Sequence, residues 1–518
     1  MLNQKQQIIN IILIISIVII GNNHFSKKNI KNDDKINYIL NTIATNYVDS
    51  IDMPSLIESS IEQTLKNLDP HSIYMNSDQV QSSMEMMQGS FEGIGVEFSI
   101  YKDTIVVINV IPNGPSEKEG LKAGERIISI EYNNVAGIDI KNEDVIKKLR
   151  GKGGSQVTIG VYSPGSKTIR NITITRSEIP LKSLDVGYEI SPGIGYIKLN
   201  RFSETTFTEF KSELNRLLVL KKIKSLILDL RGNSGGYLDQ AINILNEFFE
   251  KDKLLVYTKG NFRPEQKYFS SKAGDFKEGE VCILIDNGSA SASEIIAGAI
   301  QDHHRGTIIG ERSFGKGLVQ EQIPLSDGSL IRLTVARYHT PSGRCIQKPY
   351  SGDENDLNNL YFEQSFISVD TLQKFTTDQG KVVYGGGGIS PDYTVKHSET
   401  ILPPSLIYLY SSDFFNNLVF DYVDSKRKKM IQANYTNWKI SENEQLFMLS
   451  KIKNWMTLEL KDNYDLEQLD LEINNNTDNI TERLSALIIR QCWGWGEMQM
   501  FLNENDQIII TSLSLLKN

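Results

Sequence analysis

Short apolar runs alternate with segments of helical periodicity through the middle of the chain. Residues 226–230 and 281–285 are almost entirely apolar, which is typical of buried strands. After the second run, apolar side chains recur three and four residues apart from Ala292 to Ile300, which predicts a helix. Strands and helices that alternate in this way predict layered α/β structure. We therefore interpret residues 179–400 as an α/β core.

The hydrophobic pattern changes on both sides of this core. Residues 34–88 carry apolar positions at helical spacing and predict an N-terminal helical region. Residues 89–178 read as short strands separated by glycine turns, with one helix over 143–149. Residues 401–518 are mostly helical in pattern and show no recognisable chemistry, so we interpret them as an accessory domain. The predicted fold class is multidomain α+β.

An apolar run near the N-terminus predicts export. Ile8 to Ile20 is nearly all Ile, Leu and Val, and as a helix it would span about 20 Å, short of a hydrocarbon core of about 30 Å. That length fits the apolar core of a secretory signal. No small-x-small cleavage site follows it, so the segment could also stay as a membrane anchor. Residues 1–33 are therefore a signal or anchor and its linker, and we expect an envelope protein of the bacterial periplasm.

Composition narrows the range of functions only slightly. The formal net charge of −9 argues against a nucleic-acid-binding surface. The three cysteines, Cys282, Cys345 and Cys492, are too few and too scattered for a disulfide framework or a zinc site.

Ser291 is the first candidate for chemistry. It lies where the predicted strand 281–285 gives way to a helix, so free backbone N–H groups and the positive helix end converge beside it. A serine at a helix start can simply be an N-terminal cap. It can also be a nucleophile with donors for an oxyanion close by. Lys316, between two glycines in a following loop, is the candidate general base.

The wider sequence resembles the active-site core of the carboxyl-terminal processing peptidases, or tail-specific proteases, which are PDZ-containing serine peptidases with a Ser-Lys dyad. Three motifs carry the resemblance, in order: Gly-Ser-Ala-Ser-Ala-Ser-Glu at 288–294, Gly-Ala-Ile-Gln-Asp at 298–302 and Gly-Lys-Gly-Leu-Val-Gln at 315–320. In that family the lysine follows the nucleophile by 25 residues, as Lys316 follows Ser291. The resemblance covers about 34–397 and implies a crotonase-like α/β peptidase core.

The same resemblance implies roles for the neighbouring residues. Gln320 matches a glutamine thought to orient the lysine, and strand periodicity would put 316, 318 and 320 on one side. The turn after strand 226–230 would supply one oxyanion N–H from Gly235 or Gly236. Ala292 would supply the second.

Two acidic residues are candidates for supporting roles. Glu294 shares a helix face with Ser291, so it either holds local geometry or is a plain surface carboxylate. Asp302 is sometimes grouped with the charge relay of the family, but eleven helical residues span about 16 Å. We interpret Asp302 as supporting structure. His303 and His304 lie beside it, and an imidazole base is the alternative to Lys316.

Residues 89–178 resemble a PDZ domain in the order of their strands, helix and glycines. Gly93-Ile94-Gly95 would expose backbone N–H groups to a chain-end carboxylate, and the adjacent strand would accept the peptide by β-augmentation. We expect an apolar pocket and peptide partners with apolar C-termini. The predicted pocket residues are Ile94, Val96, Val145 and Leu149.

These residues together predict acyl transfer by a serine endopeptidase. Burial would lower the pKa of Lys316 enough for it to accept a proton from Ser291. The mechanism needs neither a metal nor another cofactor. A catalytically silent PDZ-type scaffold of the cell envelope is the alternative. An acyl-CoA enzyme would suit a crotonase-like core, but the PDZ region and the export segment argue against it.

Overall fold

The computed structural model describes residues 34–349, 373–396 and 402–517, apart from Asn463. The chain divides after Tyr74 into two compact units. The predicted export segment lies outside the described residues. Within them, no helix has both the length and the apolar composition needed to cross a membrane.

The first unit contains two of the predicted N-terminal helices. Helix α1 spans Lys35–Asn46, and helix α2 spans Met53–Lys66 with Asp52 as its N-cap. Asp69 then closes a turn by accepting hydrogen bonds from the backbone N–H and the hydroxyl of Ser72, at 2.8 and 2.7 Å. Strand β1 (Ile73–Met75) follows this turn.

The second unit begins with the region predicted to be a PDZ domain. Its sheet has the order β3-β4-β5-β7-β8, with β6 paired to β5, and β2 pairs separately with β9. Helix α5 packs Val145 and Leu149 against this sheet. The elements are α3 (Ser77–Gln88), β2 (Ser90–Gly93), β3 (Val96–Ile100), β4 (Ile105–Val110), α4 (Pro115–Lys118), β5 (Arg126–Ile130), β6 (Asn133–Asn134), α5 (Asn142–Leu149), β7 (Gln156–Tyr162), β8 (Ile169–Thr175) and β9 (Ser177–Pro180).

A six-stranded sheet of order β10-β11-β12-β15-β16-β21 forms the centre of the predicted core. The pairs from β11 to β21 are parallel, and β10 is antiparallel to β11. Parallel strands covered on both faces read as continuous apolar runs, which explains the sequence pattern. The elements are β10 (Leu184–Ser191), β11 (Ile194–Leu199), α6 (Thr206–Arg216), β12 (Ser225–Asp229), α7 (Leu238–Leu245), β15 (Glu280–Ile285), α8 (Ala292–Asp302), β16 (Thr307–Gly310) and β21 (Tyr393–Thr394).

A second sheet lies beside the central one and carries the segment after Lys316. Strands β17 (Leu318–Pro324) and β18 (Leu330–His339) form the predicted hairpin around Asp327 and Gly328. Strand β18 also pairs with β13 (Leu254–Lys259), which pairs with β14 (Gln266–Phe269). Two short strands, β19 (Lys374–Thr376) and β20 (Val382–Tyr384), make a separate hairpin.

The C-terminal region is helical, as predicted. Helices α9 to α13 bury a core of their own, formed by residues such as Leu406, Phe415, Val423, Ile452 and Leu484. The helices are α9 (Pro404–Ser411), α10 (Asp413–Met430), α11 (Glu442–Leu460), α12 (Leu466–Asn475), α13 (Thr477–Cys492), α14 (Trp495–Asn503) and α15 (Gln507–Leu516).

Helices α14 and α15 cover one face of the central sheet. Ile508 and Ile509 pack in a cluster with Ile227, Cys282 and Leu284 of the inner strands. Helices α6, α7 and α8 cover the opposite face. The interpretation of residues 401–518 as accessory therefore does not fit these two helices, because they complete the hydrophobic core of the sheet.

Candidate active site

Ser291 lies at the turn between β15 and α8, as the sequence pattern predicted. It stands at the N-cap position of α8, with φ of 54° and ψ of −113°. A positive φ is uncommon for a residue with a side chain and marks a locally constrained backbone. The capping and nucleophile interpretations therefore concern one and the same position at the helix start.

The turn that carries Ser291 is fixed to the loop that follows β12. We call this loop, residues 230–236, the glycine loop. The carbonyl oxygen of Asn233 accepts hydrogen bonds from the backbone N–H of Ala290 at 3.0 Å and from the hydroxyl of Ser293 at 2.9 Å. The hydroxyl of Ser289 donates to the carbonyl oxygen of Leu230 at 2.8 Å. The Ser291 turn and the glycine loop thus form one hydrogen-bonded assembly.

Glu294 holds the segments of Ser291 and Lys316 together. One carboxylate oxygen, Oε2, accepts from the backbone N–H groups of Ser291 at 2.8 Å and Lys316 at 2.9 Å. The other, Oε1, accepts from the Gly315 N–H at 2.7 Å and from the Ser313 hydroxyl at 2.6 Å. The interpretation of Glu294 as a surface carboxylate is wrong, because the residue is fully buried. Burial raises the pKa of Glu294 to about 7, against the opposing effect of these hydrogen bonds.

Lys316 contacts the predicted partner. Its Nζ donates a hydrogen bond to Oε1 of Gln320 at 3.0 Å. Strand periodicity is not the cause of this contact. Strand β17 begins only at Leu318, and its pairing with β18 shifts between Val319 and Gln320. The lysine side chain is half-buried and reaches Gln320 from the loop that precedes the strand.

Tyr338 is a residue of the site that sequence reasoning missed. Its hydroxyl lies 2.6 Å from the carbonyl oxygen of Lys316 and 3.1 Å from that of Ser291. Burial raises the pKa of Tyr338 well above its ordinary value, so the hydroxyl stays a donor at neutral pH. The alternation of buried and exposed positions along β18 predicts only that the ring of Tyr338 faces the interior. Nothing in the local sequence indicates that its hydroxyl contacts the carbonyl oxygens of Lys316 and Ser291.

The glycine loop approaches Ser291 more closely than any side chain would permit. A Cβ at position 235 would lie 2.7 Å from the Cβ of Ser291 and 2.7 Å from the carbonyl oxygen of Ala290. Gly235 also has φ of 96°, in the region that favours glycine. Both constraints explain why this position carries no side chain.

The N–H groups of this loop are not equivalent. Gly235 donates its N–H to Oδ1 of Asn233 at 2.9 Å, so that group is engaged. Among the described residues, none accepts a hydrogen bond from the N–H of Gly236 or from that of Ala292, the first residue of α8. Of the two predicted glycine donors, the geometry therefore favours Gly236, together with Ala292.

Asp302 contacts the segment after β18. It forms a buried ion pair with Arg344, with 2.8 Å between Oδ1 and the guanidinium, and accepts from the Ser342 N–H at 2.9 Å. These contacts fit the supporting role that the sequence suggested.

The neighbouring histidines are engaged in structural contacts. The ring nitrogens of His303 lie 2.6 Å from Oδ2 of Asp378 and 2.7 Å from the carbonyl oxygen of Leu254. Nε2 of His304 lies 2.5 Å from the hydroxyl of Thr377. None of these partners belongs to the Ser291 turn or to the Lys316 loop, so the geometry does not favour an imidazole base.

The predicted peptide site combines a suitable edge with a closed interior. Strand β3 is at the edge of its sheet and follows the Gly93–Gly95 loop directly, which suits β-augmentation. Ile94, Val145 and Leu149, however, are 2%, 0% and 4% exposed, because their side chains fill the core of the domain. The prediction that these three residues line an open pocket is therefore wrong for this structure. Val96 is half-buried.

Comparisons with known proteins identify the two central regions of the chain. The model of peptidase family S41 matches residues 193–359, and the model of the PDZ domain matches residues 81–162. The first range contains Ser291, Lys316 and the glycine loop. The second contains the Gly93–Gly95 loop and helix α5.

Relatives that match about three fifths of the chain support the same assignment. The chain is 37% identical over 318 residues to the carboxy-terminal processing protease CtpB of Bacillus subtilis. This match covers 61% of this chain and 65% of CtpB, so the chain spans a little under two thirds of that relative. It is 38% identical over 313 residues to a carboxy-terminal-processing protease of Bartonella bacilliformis, and this match covers 60% of this chain and 71% of that protein. Among solved structures, the photosystem II D1 C-terminal processing protease matches 73% of this chain and 91% of its own, with 26% identity and a TM-score of 0.36. The two sequence relatives and the two family models show that the chain belongs to the carboxy-terminal processing proteases, with a peptidase core of family S41 and a PDZ domain.

Proposed function

We propose that the chain is a serine endopeptidase in which Ser291 is the nucleophile and Lys316 the general base. The observation that carries this proposal is the single buried carboxylate of Glu294, which accepts hydrogen bonds from the backbones of both residues. A shared acceptor fixes two segments of the chain in one geometry, as a nucleophile and its base require.

The chemistry follows from the groups already described. Neutral Lys316 takes the proton of the Ser291 hydroxyl as the serine oxygen attacks a peptide carbonyl. The N–H groups of Gly236 and Ala292 stabilise the oxyanion. Protonated Lys316 gives this proton to the leaving amine as the peptide bond breaks. Water then gives a proton to Lys316 as it attacks the acyl-enzyme, and the Ser291 oxygen leaves with that proton. Gln320 orients the lysine amine through its side-chain oxygen.

The PDZ domain would select the substrate. The edge of β3 and the Gly93–Gly95 loop suit the backbone and terminal carboxylate of a protein tail, and we propose a preference for apolar C-termini. The pocket for the terminal side chain would form only when the packing around Val145 and Leu149 opens. The Ile8–Ile20 run supports export, which would place the substrates among the proteins of the bacterial envelope.

The catalytic assignment is tested by cleavage of an unstructured protein with an apolar C-terminus, with products identified by mass spectrometry. Ser291→Ala and Lys316→Ala should each abolish cleavage and leave the melting temperature unchanged. Ser234→Ala, at an exposed serine of the neighbouring loop, is the control that should retain activity. Full activity in either dyad variant would refute the assignment. A wild-type chain that binds the tail without cutting it would favour the scaffold alternative.

Export is tested separately with a reporter protein fused after residue 33. We expect the reporter outside the cytoplasm. Ile14→Asp together with Val18→Asp should retain it inside, because each charge near the centre of such a segment costs about 2.5–3.5 kcal/mol on insertion scales. Unchanged export in that variant would contradict the signal interpretation.

A further inference from the structure

An ion pair connects helix α15 with the start of the glycine loop. The guanidinium Nη1 of Arg231 lies 2.6 Å from Oδ2 of Asp506, and the two side chains are only 9% and 11% exposed. Removing one member of a buried pair takes a compensating charge away from the other, so the placement of Arg231 depends in part on Asp506. Asp506 lies far outside the segment 193–359 that the peptidase family model matches.

Asp506 fixes the beginning of α15 with its other oxygen. Oδ1 accepts hydrogen bonds from the backbone N–H groups of Ile508 at 2.8 Å and Ile509 at 3.3 Å, as an N-cap does. The side chains of these two isoleucines are buried against the central sheet. The carboxylate that meets Arg231 is thereby anchored to the sheet through the helix that it caps.

Arg231 is anchored on its other side by Asp229, the final residue of β12. Nε and Nη2 of the guanidinium donate to the two carboxylate oxygens of Asp229 at 2.9 and 2.7 Å, a bidentate arrangement. The hydroxyl of Tyr196 also donates to Asp229, at 2.7 Å. Burial alone would raise the pKa of Asp229, but the charges of Arg231 and Lys198 hold it well below its usual range.

The glycine loop is held by contacts on several sides. The side chain of Asn233 donates to the carbonyl oxygen of Leu199 at 2.9 Å, and the carbonyl oxygen of Gly235 accepts from the N–H of Phe202 at 3.0 Å. The Ser291 turn also supports the loop, through the contacts of Leu230 and Asn233.

Among the described residues of the loop, only Arg231 has a side chain that hydrogen-bonds to the N-cap of α15. Arg231 lies five residues before Gly236. A change at Asp506 would release the contact to α15 and leave the other contacts of the loop in place.

We infer that Asp506 is a positioning residue for the peptidase reaction, which acts through Arg231 to fix the glycine loop that presents the Gly236 N–H beside Ser291. Helix α15 then belongs to the catalytic apparatus. This inference rests on the proposed function. It assigns a role in the reaction to a region in which the sequence showed no chemistry.

The experiment compares two Asp→Asn substitutions in the full-length chain. Asp506→Asn keeps one oxygen to cap α15 but presents an uncharged amide to Arg231. Asp465→Asn is the matched control, because Asp465 caps α12 through the N–H groups of Glu467 and Gln468, at 2.9 and 3.4 Å, and forms no ion pair among the described residues. Asparagine is as good an N-cap as aspartate, so both variants keep their helix caps and only Asp506→Asn loses an ion pair. The melting temperature of each variant is measured, so that activity is compared per folded protein.

We expect kcat to fall about tenfold in Asp506→Asn with KM unchanged, because removing an oxyanion donor outright costs about 10²–10³ in kcat and this change only displaces one. A peptide aldehyde forms a hemiacetal whose oxygen occupies the same position as the oxyanion. Its inhibition constant should rise by the same factor. Asp465→Asn should match the wild type in both measurements.

The possible outcomes are distinguishable. If the wild type and Asp465→Asn do not cleave, the proposed function fails before the inference is reached. If Asp506→Asn cleaves as the wild type does, or loses activity only in proportion to its unfolded fraction, the inference is wrong. Should Asp506→Asn fail to fold, Asp506→Ser keeps an N-cap oxygen and replaces it. Misfolding of both variants would also overturn the inference, since Asp506 would then determine stability alone.

Discussion

The hydroxyl of Tyr338 donates a hydrogen bond of 2.6 Å to the carbonyl oxygen of Lys316. The ring is almost completely buried, so this contact is made from a rigid position on β18. Glu294 accepts a hydrogen bond from the backbone N–H of the same lysine at 2.9 Å. Both backbone polar groups of the proposed general base are therefore engaged by buried side chains.

Tyr338→Phe should reduce activity without unfolding the protein. It removes the donor to Lys316 and leaves a buried carbonyl oxygen without that partner, a loss of about 1–3 kcal/mol. Where this free energy is lost from the transition state of the reaction, kcat falls about tenfold, because 1.36 kcal/mol of activation free energy corresponds to a factor of ten in rate. Steady-state kinetics measure it. Tyr257→Phe, which removes a hydroxyl with no hydrogen-bond partner in the described part of the second sheet, should have no effect. Equal activity of the two variants would contradict the prediction.

Glu294 predicts a pH dependence of stability. Its pKa in the folded protein is about 7, above the ordinary value of 4.5, so the folded state binds more protons than the unfolded state between these pH values. The stabilisation is fully present below about pH 4.5 and is lost as the pH rises through about 7. Denaturant unfolding from pH 5 to pH 8 should therefore show wild-type stability falling relative to that of Glu294→Gln.

The control for this measurement is Glu504→Gln, at an exposed glutamate. That variant should follow the wild type at every pH. A difference between the wild type and Glu294→Gln that does not change with pH would show that Glu294 does not titrate in this range.

The glycine loop offers a pair of variants that separates strain from contact. Gly235 and Gly232 both have positive φ, at 96° and 70°. A Cβ added at position 235 would lie 2.7 Å from the Cβ of Ser291, whereas a Cβ added at position 232 would have no atom within 4 Å. Gly232→Ala should cost about 1–2 kcal/mol of stability from its backbone conformation and retain the wild-type kcat. Gly235→Ala should also displace Ser291, and a misplacement of about 1 Å can cost a hundredfold in rate. Similar kcat values for the two variants would contradict the close approach at Gly235.

The terminal carboxylate of the substrate should contribute to binding. Peptides with an apolar C-terminal residue should bind to the Ser291→Ala chain, and amidation of their terminus should weaken binding about ten- to a hundredfold. This corresponds to the loss of a charge-assisted hydrogen bond worth about 1.5–3 kcal/mol. Calorimetric titration with free and amidated forms of one peptide measures the difference. Equal affinities would show that the domain does not read the carboxylate.

The local parts of the site could be predicted from the sequence. An apolar run followed by helical spacing defines the turn at Ser291. The match of Gln320 to the family glutamine predicted its contact with Lys316, although the strand periodicity proposed for it was not the cause. The burial of Glu294 could not be predicted, because a carboxylate three residues into a helix has the same sequence pattern whether it faces solvent or the interior.

The long-range contacts had no local signature. The contact between Arg231 and Asp506 joins positions far apart in the sequence, and charged residues are common throughout the chain. For Val145 and Leu149 the local pattern was clear but ambiguous, because an apolar position at helical spacing fits a domain core as well as a ligand pocket. These two side chains lie in the core. Periodicity identifies a buried face, but it does not identify what buries it.

The covering of the central sheet by α14 and α15 has a consequence for biosynthesis. Strands β12 and β15, and the serine between β15 and α8, emerge from the ribosome long before Ile508 and Ile509 do. Until then the apolar face formed by Ile227, Cys282 and Leu284 has no helices to cover it, and Arg231 has no Asp506 to meet. If Asp506 acts as inferred above, a nascent chain carries Ser291 before its glycine loop is fixed, and proteolysis by this chain begins only after the C-terminal helices have been made.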